Sequence, residues 1–362
     1  MADLQSSIQH SLFENAVNLL KQLIATPSFS KEEDKTAAII KTHLNSFDID
    51  ATLLGNNVIA KNKFFDTNKP TILLNSHHDT VRPNPNYTLN PFEAIEKDGK
   101  LFGLGSNDAG GCLVSLISTF IHFYAKENLK YNVMLVASAE EEISGYNGIE
   151  TVVKELPPIN FAIVGEPTLM QMAVAERGLM VLDAVANGKA GHAARNEGEN
   201  AITNALKDIE WFHSYQFSKV SPLLGPNKMS VTVIETENKA HNVVPAVCKY
   251  VVDIRVNELY SFEDVLKEIQ QNVQSDIKPR STRLRSTSIS LDHPIVKAGL
   301  KMGKEYYGSP TTSDKALMPF PALKMGPGDS ARSHTADEFI YLDEIEKGIE
   351  DYIEIINALQ KA

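Results

Sequence analysis

The chain has 362 residues, enough for two domains of ordinary size, and its 43 % hydrophobic and 22 % charged content is that of a soluble protein with large cores. A net charge of −11 argues against nucleic acid or an anionic membrane as partner, since both require a basic face. Cys112 and Cys248 are too few for a disulfide framework or a cysteine zinc site. No apolar run approaches the ~20 residues of a membrane span. The first ten residues lack the basic and apolar stretches of a signal peptide, so the cytoplasm is the expected compartment.

Leu12, Ala16, Leu19, Leu20 and Leu23 recur at helical spacing, and Thr26-Pro27-Ser28 stops that first helix. Ser30 and Glu33 have the spacing of a capping box for a second helix through Leu44. Short apolar runs at 71–75, 132–137 and 161–165 predict buried strands, with a helix over 110–124 between the first two. Such alternation predicts an α/β sheet whose strands are covered on both faces.

From about Met172 the pattern changes. Strands are predicted over 179–186, 229–234, 247–256 and 282–289, with helices over 200–212 and 262–273. Strand-helix-strand-strand-helix-strand is the split βαβ, ferredoxin-like arrangement of a small two-layer domain. Helical texture resumes over 295–307 and again over 342–359. The expected organisation is therefore a larger domain built from 1–170 and 290–362, interrupted by a smaller one over 171–289.

Several polar segments fall at predicted strand ends or helix mouths. His77 and Asp79 are two residues apart, so in extended chain they point the same way and His78 points opposite. Alone, such a pair is more simply a hydrogen-bonded loop. Asp108 precedes a helix opened by Gly110-Gly111, where an N-cap is the ordinary explanation. Three adjacent acids, Glu140-Glu141-Glu142, are usually a solvated run. Here they end a buried strand, and in open α/β sheets such ends face the ligand crevice. Neighbouring carboxylates there can divide labour, one binding metal and the next moving a proton. Glu166 likewise follows a strand and is fixed by Pro167. A late Ser333-His334-Thr335 adds an imidazole. Nitrogen and oxygen donors without thiolates suit two Zn²⁺ ions, with Co²⁺ or Mn²⁺ compatible with the same set, and paired metals suit amide hydrolysis.

In order and spacing these segments resemble the di-zinc hydrolase family that includes acetylornithine deacetylase, succinyl-diaminopimelate desuccinylase, carboxypeptidase G and aminoacylase. The resemblance spans nearly the whole chain. It rests on Leu23-Ile24-Ala25-Thr26-Pro27-Ser28, the His-x-Asp of 77–79, Asp108-Ala109-Gly110-Gly111, Glu141-Glu142, Gly165-Glu166-Pro167-Thr168 and His334-Thr335-Ala336-Asp337-Glu338. It implies a zinc-peptidase-like catalytic domain carrying an inserted lid and dimerisation domain. Asp108 would bridge two zinc ions, one also held by His77 and Glu166 and the other by Glu142 and His334. Glu141 would be the general base, Asp79 the acid that orients His77, and Glu140 a bystander. The bond between Asp108 and Ala109 would be cis.

Within the inserted domain, the stretch around His192 resembles the one whose histidine reaches a partner subunit's site as an oxyanion donor, which implies a homodimer. Asn242 and Arg255 match substrate-contacting positions, with Arg177 a weaker match. Arg255 could equally pair with Asp253 within the sheet. Many members carry a Lys in the stretch after the bridging Asp, and this chain has Gly110 instead, which blurs the branch.

On length and on Gly165-Glu166-Pro167-Thr168 the chain is most similar to the acetylornithine deacetylases. The implied substrate is then a small N-acyl amino acid, N-acetylornithine in arginine biosynthesis. Succinyl-diaminopimelate, acetylcitrulline and dipeptides are the alternatives within the family. A non-catalytic zinc-binding dimer scaffold is the alternative of another class. Intact Glu141 and Asp79 speak against the scaffold.

Overall fold

The computed structural model describes residues 2–195 and 197–361. In chain order, α1 (Ala2–Ile24) and α2 (Asp34–Asn45) precede β1 (Ala51–Leu54), β2 (Asn57–Lys61), β3 (Thr71–His77), β4 (Ile95–Lys97) and β5 (Lys100–Phe102). Then come α3 (Gly111–Tyr124), β6 (Asn132–Ser138), α4 (Ile149–Glu155), β7 (Phe161–Val164) and β8 (Met172–Glu176). The middle of the chain holds β9 (Gly178–Asn187), β10 (Gly191–His192), α5 (Ala201–Ser214), β11 (Lys228–Glu235), β12 (Val243–Val244) and β13 (Val247–Val256). It continues through α6 (Phe262–Gln270), β14 (Asp276–Pro279) and β15 (Thr287–Ser288). Last come α7 (Pro294–Lys301), β16 (Tyr306–Ser309), β17 (Ala322–Lys324), β18 (Phe339–Tyr341) and α8 (Leu342–Lys361). Among the described residues no helix is long and apolar enough to cross a membrane.

Two compact units result: one of residues 1–174, 289–307 and 313–362, the other of 175–288 and 308–312. In the first, the sheet runs β1-β2-β6-β3-β7-β17-β8. β6, β3, β7 and β17 are parallel neighbours, and β1, β2 and β8 are antiparallel to theirs. β3 and β6 are buried at every position, as strands covered on both faces must be. Leu73, Met134, Val136, Ala162 and Val164 pack with Ile149 and Val152 of α4. α3 packs against β3 and β6 and contacts both α1 and α8.

The second unit is a four-stranded antiparallel sheet in the order β11-β13-β9-β14. Connected through α5 and α6, this is the split βαβ arrangement expected from the sequence. Met180, Leu182, Ala184 and Ala186 of β9 alternate with half-buried residues, and with Tyr250, Val252, Ile254 and Val256 of β13 they form one core with α5 and α6. Ser261 and Asp264 form a reciprocal capping box at the start of α6.

Three local expectations are corrected. Ser30 and Glu33 do not form a capping box: α2 begins at Asp34 with no side-chain cap, the Ser30 hydroxyl donates to Asp79 Oδ2 (2.7 Å), and Glu33 accepts from the amides of Lys31 and Glu140. The fourth strand of the small sheet is Asp276–Pro279, not 282–289, because Ile277 pairs with Ala184 and packs on the core while most of the later stretch is irregular. The helix expected over 295–307 ends at Lys301. Gly303 adopts φ 77°, a left-handed conformation that glycine accepts without a Cβ clash, and the chain turns there into β16.

Candidate metal centre

β3, β6 and β7 are parallel, so their C-terminal ends share one edge of the sheet. His77 is the last residue of β3. Glu141 and Glu142 open a short turn (Glu141–Ile143) just beyond β6, and Glu166 lies two residues beyond β7. Asp108 sits in the irregular Ser106–Gly110 segment that leads into α3, and its bond to Ala109 is cis, as the resemblance implies. His334 follows the turn Ser330–Arg332 with φ 59°.

These side chains meet around Asp108. His77 Nε2 is 3.4 Å from Asp108 Oδ1, 3.9 Å from Glu166 Oε1 and 4.0 Å from Glu141 Oε2. On the other side, His334 Nε2 is 3.6 Å from Asp108 Oδ2 and 3.1 Å from Glu142 Oε2. One carboxylate thus presents a separate oxygen to each of two imidazoles, each accompanied by a further acid. His77, Asp108 and Glu142, and likewise His77, Glu141 and Glu166, place donor atoms within 4.8 Å of one another and can hold a metal ion. Nitrogen and carboxylate oxygen donors, with no thiolate among them, fit Zn²⁺ and the similar divalent ions.

The charges of the cluster bear on what it can hold. Burial pushes the Glu166 carboxyl up to about 8, and the Asp108 and Asp314 carboxylates add to that against Lys324 and His77. Burial likewise raises Glu141 well above the ordinary range, with Glu166, Asp314 and Glu142 adding to it against His77. The Glu142 hydrogen bond raises His334 to about 9. Burial alone would lower His77, yet hydrogen bonds to Asp108 and Asp79 and the charges of Glu141 and Glu166 hold it well above its usual value. Buried acids that favour protons, beside imidazoles that favour charge, form a site that calls for cations.

Asp79 organises the cluster. Its backbone carbonyl can only accept, so His77 Nδ1 must donate to it (2.9 Å), which leaves Nε2 as the ring nitrogen facing the carboxylates. Its carboxylate accepts from the amides of Glu141 (3.0 Å) and Glu142 (3.1 Å). His78 points away, between Thr36 Oγ1 and the Asn56 carbonyl, as the two-residue periodicity requires. Glu140 also turns aside, accepting from the amide and the side chain of Asn147.

Other organising residues carried no assigned role in the sequence. Glu338 is buried and accepts from the amides of Gly105, Asn107 and Asp108 (3.1, 2.8 and 2.9 Å), fixing the segment that presents Asp108. Asn107 exchanges hydrogen bonds with the backbone of Asp329 and so ties that segment to the His334 loop. Asp314 is buried and accepts from Ser138 at the end of β6 (2.5 Å). Glu338 stands in the quoted His334-to-Glu338 stretch, which was its only signal.

The remaining predicted residues lie in the second unit. His192 on β10 pairs with Val243, and Ala193 donates to the Asn242 carbonyl (3.0 Å), so His192 and Asn242 share one small ribbon. Arg255 forms a two-pronged ion pair with Asp253 (2.8 and 3.0 Å), the pairing anticipated as the alternative to substrate binding. Arg177 donates to the carbonyls of Leu224 and Pro226, which commits its guanidinium to the backbone of that loop.

The profile of peptidase family M20/M25/M40 matches residues 73–358. The chain belongs to this family. It is therefore a hydrolytic enzyme of the kind that cleaves amide bonds. A succinyl-diaminopimelate desuccinylase of Rickettsia felis (strain ATCC VR-1525 / URRWXCal2) is 25 % identical over 282 residues, covering 71 % of this chain and 73 % of its own. Among solved structures, aminopeptidase PepT from Bacillus cereus ATCC 10987 superposes with a TM-score of 0.77 at 18 % identity, over 96 % of this chain and 98 % of its own. YXEP of Bacillus subtilis, described as a dinuclear metal binding peptidase from the M20 family, gives 0.73 at 15 % identity, over 97 % and 99 %. These likenesses show the fold.

Proposed function

We propose that this family member hydrolyses the amide of an N-acyl amino acid using two divalent metal ions, with an N-succinyl amino acid as the favoured substrate. The observation that carries the reading is Asp108, whose two oxygens face His77 and His334 separately at 3.4 and 3.6 Å. His77 and Glu166 would complete one ion's protein ligands, and Glu142 and His334 the other's. Bound there, such ions polarise an amide carbonyl and make water acidic enough to attack near neutral pH.

Glu141 is the proton carrier in this reading. It lies among the proposed ligands, 4.0 Å from His77 Nε2, where a carboxylate can take a proton and return it to the leaving nitrogen. Asp79 positions His77 and the Glu141–Glu142 backbone. His192, with Asn242 beside it, would donate to the developing oxyanion in the site of a second copy, making the working form a dimer. Arg255 and Arg177 are left out of the substrate site because their hydrogen bonds are already committed within their own unit.

The desuccinylase name of the relative supports succinyl over the acetyl group expected from the sequence. The test is a panel of N-succinyl-LL-diaminopimelate, N-succinylornithine, N-acetylornithine, N-acetylcitrulline and dipeptides, assayed with zinc- or cobalt-loaded protein. A higher kcat/KM for the succinyl compounds supports the reading. Preference for acetyl compounds restores N-acetylornithine, and turnover of dipeptides alone removes N-acyl amino acids altogether.

A further inference from the structure

His77 and His334 are held in different ways. The His77 side chain is 1 % exposed, at the end of a strand buried at every position. The His334 side chain is 54 % exposed and lies in a turn between the Ser330–Arg332 turn and β18. Its backbone has φ 59°, a left-handed conformation that a residue with a Cβ keeps only where the surroundings impose it. Packing of the imidazole cannot fix its position, so the loop itself must be anchored.

Arg332, two residues earlier, supplies an anchor. Its guanidinium meets Glu344 as a two-pronged pair, Nη1 to Oε2 at 2.8 Å and Nη2 to Oε1 at 2.5 Å, and Nη1 also donates to the Phe339 carbonyl (3.4 Å). The same group lies over the rings of Phe339 and Tyr341, 5.1 and 5.3 Å from their centroids. The two charged side chains are 14 % and 20 % exposed, so the pair escapes most of the screening that weakens ion pairs in water. Glu344 is fixed in turn. It stands in the first turn of α8, where a helix N-terminus favours an acid, and it accepts from the Tyr341 amide (3.1 Å). α8 buries Ile345, Ile349 and Ile356 in the core.

The main chain of Arg332 closes the loop around His334. The Thr335 hydroxyl donates to the Arg332 carbonyl (2.7 Å), and the Arg332 amide donates to the Asp329 carbonyl (2.9 Å). His334 thus lies between two residues that are bonded to each other. Asn84 donates to the His334 carbonyl (3.2 Å), and Asp337 accepts from the amides of Thr88 and Leu89 (both 2.9 Å). Those contacts tie the loop to another irregular stretch, whereas Arg332 ties it to a helix.

We propose that Arg332 is a positioning residue that sets the place of His334 and with it the affinity of one metal ion, the one assigned to Glu142 and His334. The other ion, assigned to His77 and Glu166 at the ends of β3 and β7, is independent of Arg332. The inference rests on the two-metal reading above and assigns a residue outside the ligand set to one half of the centre.

The test is metal binding by chelator-stripped protein, titrated with zinc or cobalt in a metal buffer. Wild type should bind two ions. Arg332→Met keeps an unbranched apolar chain beside the rings but removes the fork. It should hold one ion as wild type does and the other about 10–100-fold more weakly, the usual effect of losing an outer support of a metal ligand. Glu344→Gln leaves the guanidinium a neutral acceptor and should weaken the same ion by less, and it carries the test if Arg332→Met does not fold. In His334→Ala that ion is already weakened, so adding Arg332→Met should change little more, a coupling that a general loss of stability would not produce. Equal weakening of both ions, unchanged binding in a folded variant, or additive losses in the double variant overturns the assignment. Hydrogen exchange on metal-free protein tests the anchor without the ions. Amides over 330–336 should exchange faster in Arg332→Met while those over 132–138 in β6 stay as in wild type. Binding of a single ion by wild type together with that exchange pattern removes the two-metal reading and keeps Arg332 as the anchor of the loop. Unchanged exchange over 330–336 removes the anchor.

Discussion

Replacing Asp79 tests whether the base and the ligands are organised by one carboxylate. In Asp79→Ala the partly buried amides of Glu141 and Glu142 and the Ser30 hydroxyl all lose their acceptor. A fully buried donor left unpaired costs roughly 1–3 kcal/mol, so the two partly buried amides together predict destabilisation of about 1–3 kcal/mol. His77 also loses the carboxylate 3.4 Å from its Nδ1, and removing such a partner of a metal-binding imidazole typically lowers metal affinity or activity about 10–100-fold. Asp79→Asn is the finer probe. Its remaining oxygen can accept from one amide, but its NH₂ faces the other donor, so about half of the stability loss should return while activity stays low. Denaturant unfolding, metal content by mass spectrometry and kcat/KM should be measured on the same preparations. Asp79→Ala that unfolds earlier yet keeps both metals and full activity per folded molecule would show that Asp79 supports only the fold. Unchanged stability would contradict the hydrogen-bond argument itself.

Glu141→Gln should keep its metals and lose at least roughly 10²-fold in turnover, the low end for a general base, whereas Glu140→Gln, turned toward Asn147, should be nearly normal; the reverse outcome would shift the register of the acidic triplet by one. Glu338→Gln keeps one acceptor for the amides of Asn107 and Asp108 but sets an NH₂ against that of Gly105, so melting should fall by the equivalent of about 1–3 kcal/mol and metal occupancy should drop, both measurable without substrate. In chelated protein, Glu166 holds its proton to about 8 when folded against an ordinary 4.5, so the stability linked to that proton is complete below about 4.5 and is lost as pH rises through about 8. The loss is of order 3–5 kcal/mol and should vanish in thermal melts with zinc or cobalt present, because a ligated carboxylate is ionised throughout; parallel pH profiles with and without metal would refute it.

The candidate site was more legible than its frame because polar residues at strand ends follow from local patterning. His77, Glu142 and Glu166 each follow an apolar run that has no alternative but to be a buried strand, and parallel strands end on the same side. Where a segment's partner is remote, local pattern misleads. Ser30 and Glu33 have the spacing of a cap, but Asp79, 49 residues away, offers the serine a charged acceptor, while buried Glu33 accepts from the amides of Lys31 and Glu140 instead. The strands β1, β2 and β14, of four, five and four residues, are too short to register as period-two patterns, and β6 and β9 provide the edges on which β2 and β14 pair. Arg255 shows the converse: Asp253, two residues away on the same side of β13, is a local partner that the period-two pattern already offered.

The proposed ligands come from positions 77 to 334, yet such a site must be held to within roughly half an ångström of its working geometry. Packing alone does not fix a carboxylate on an irregular loop. Here two further carboxylates do it by binding backbone amides rather than metal: Asp79 holds the amides of Glu141 and Glu142, and Glu338 holds those flanking and including Asp108. Each reads the position of the main chain and is itself set by a different element, Asp79 by the exit from β3 and Glu338 by the approach to β18. The acids that crowd this site therefore serve two distinct purposes, and the sequence cannot separate them, because an amide-binding glutamate and a metal-binding one are the same residue until the chain is folded.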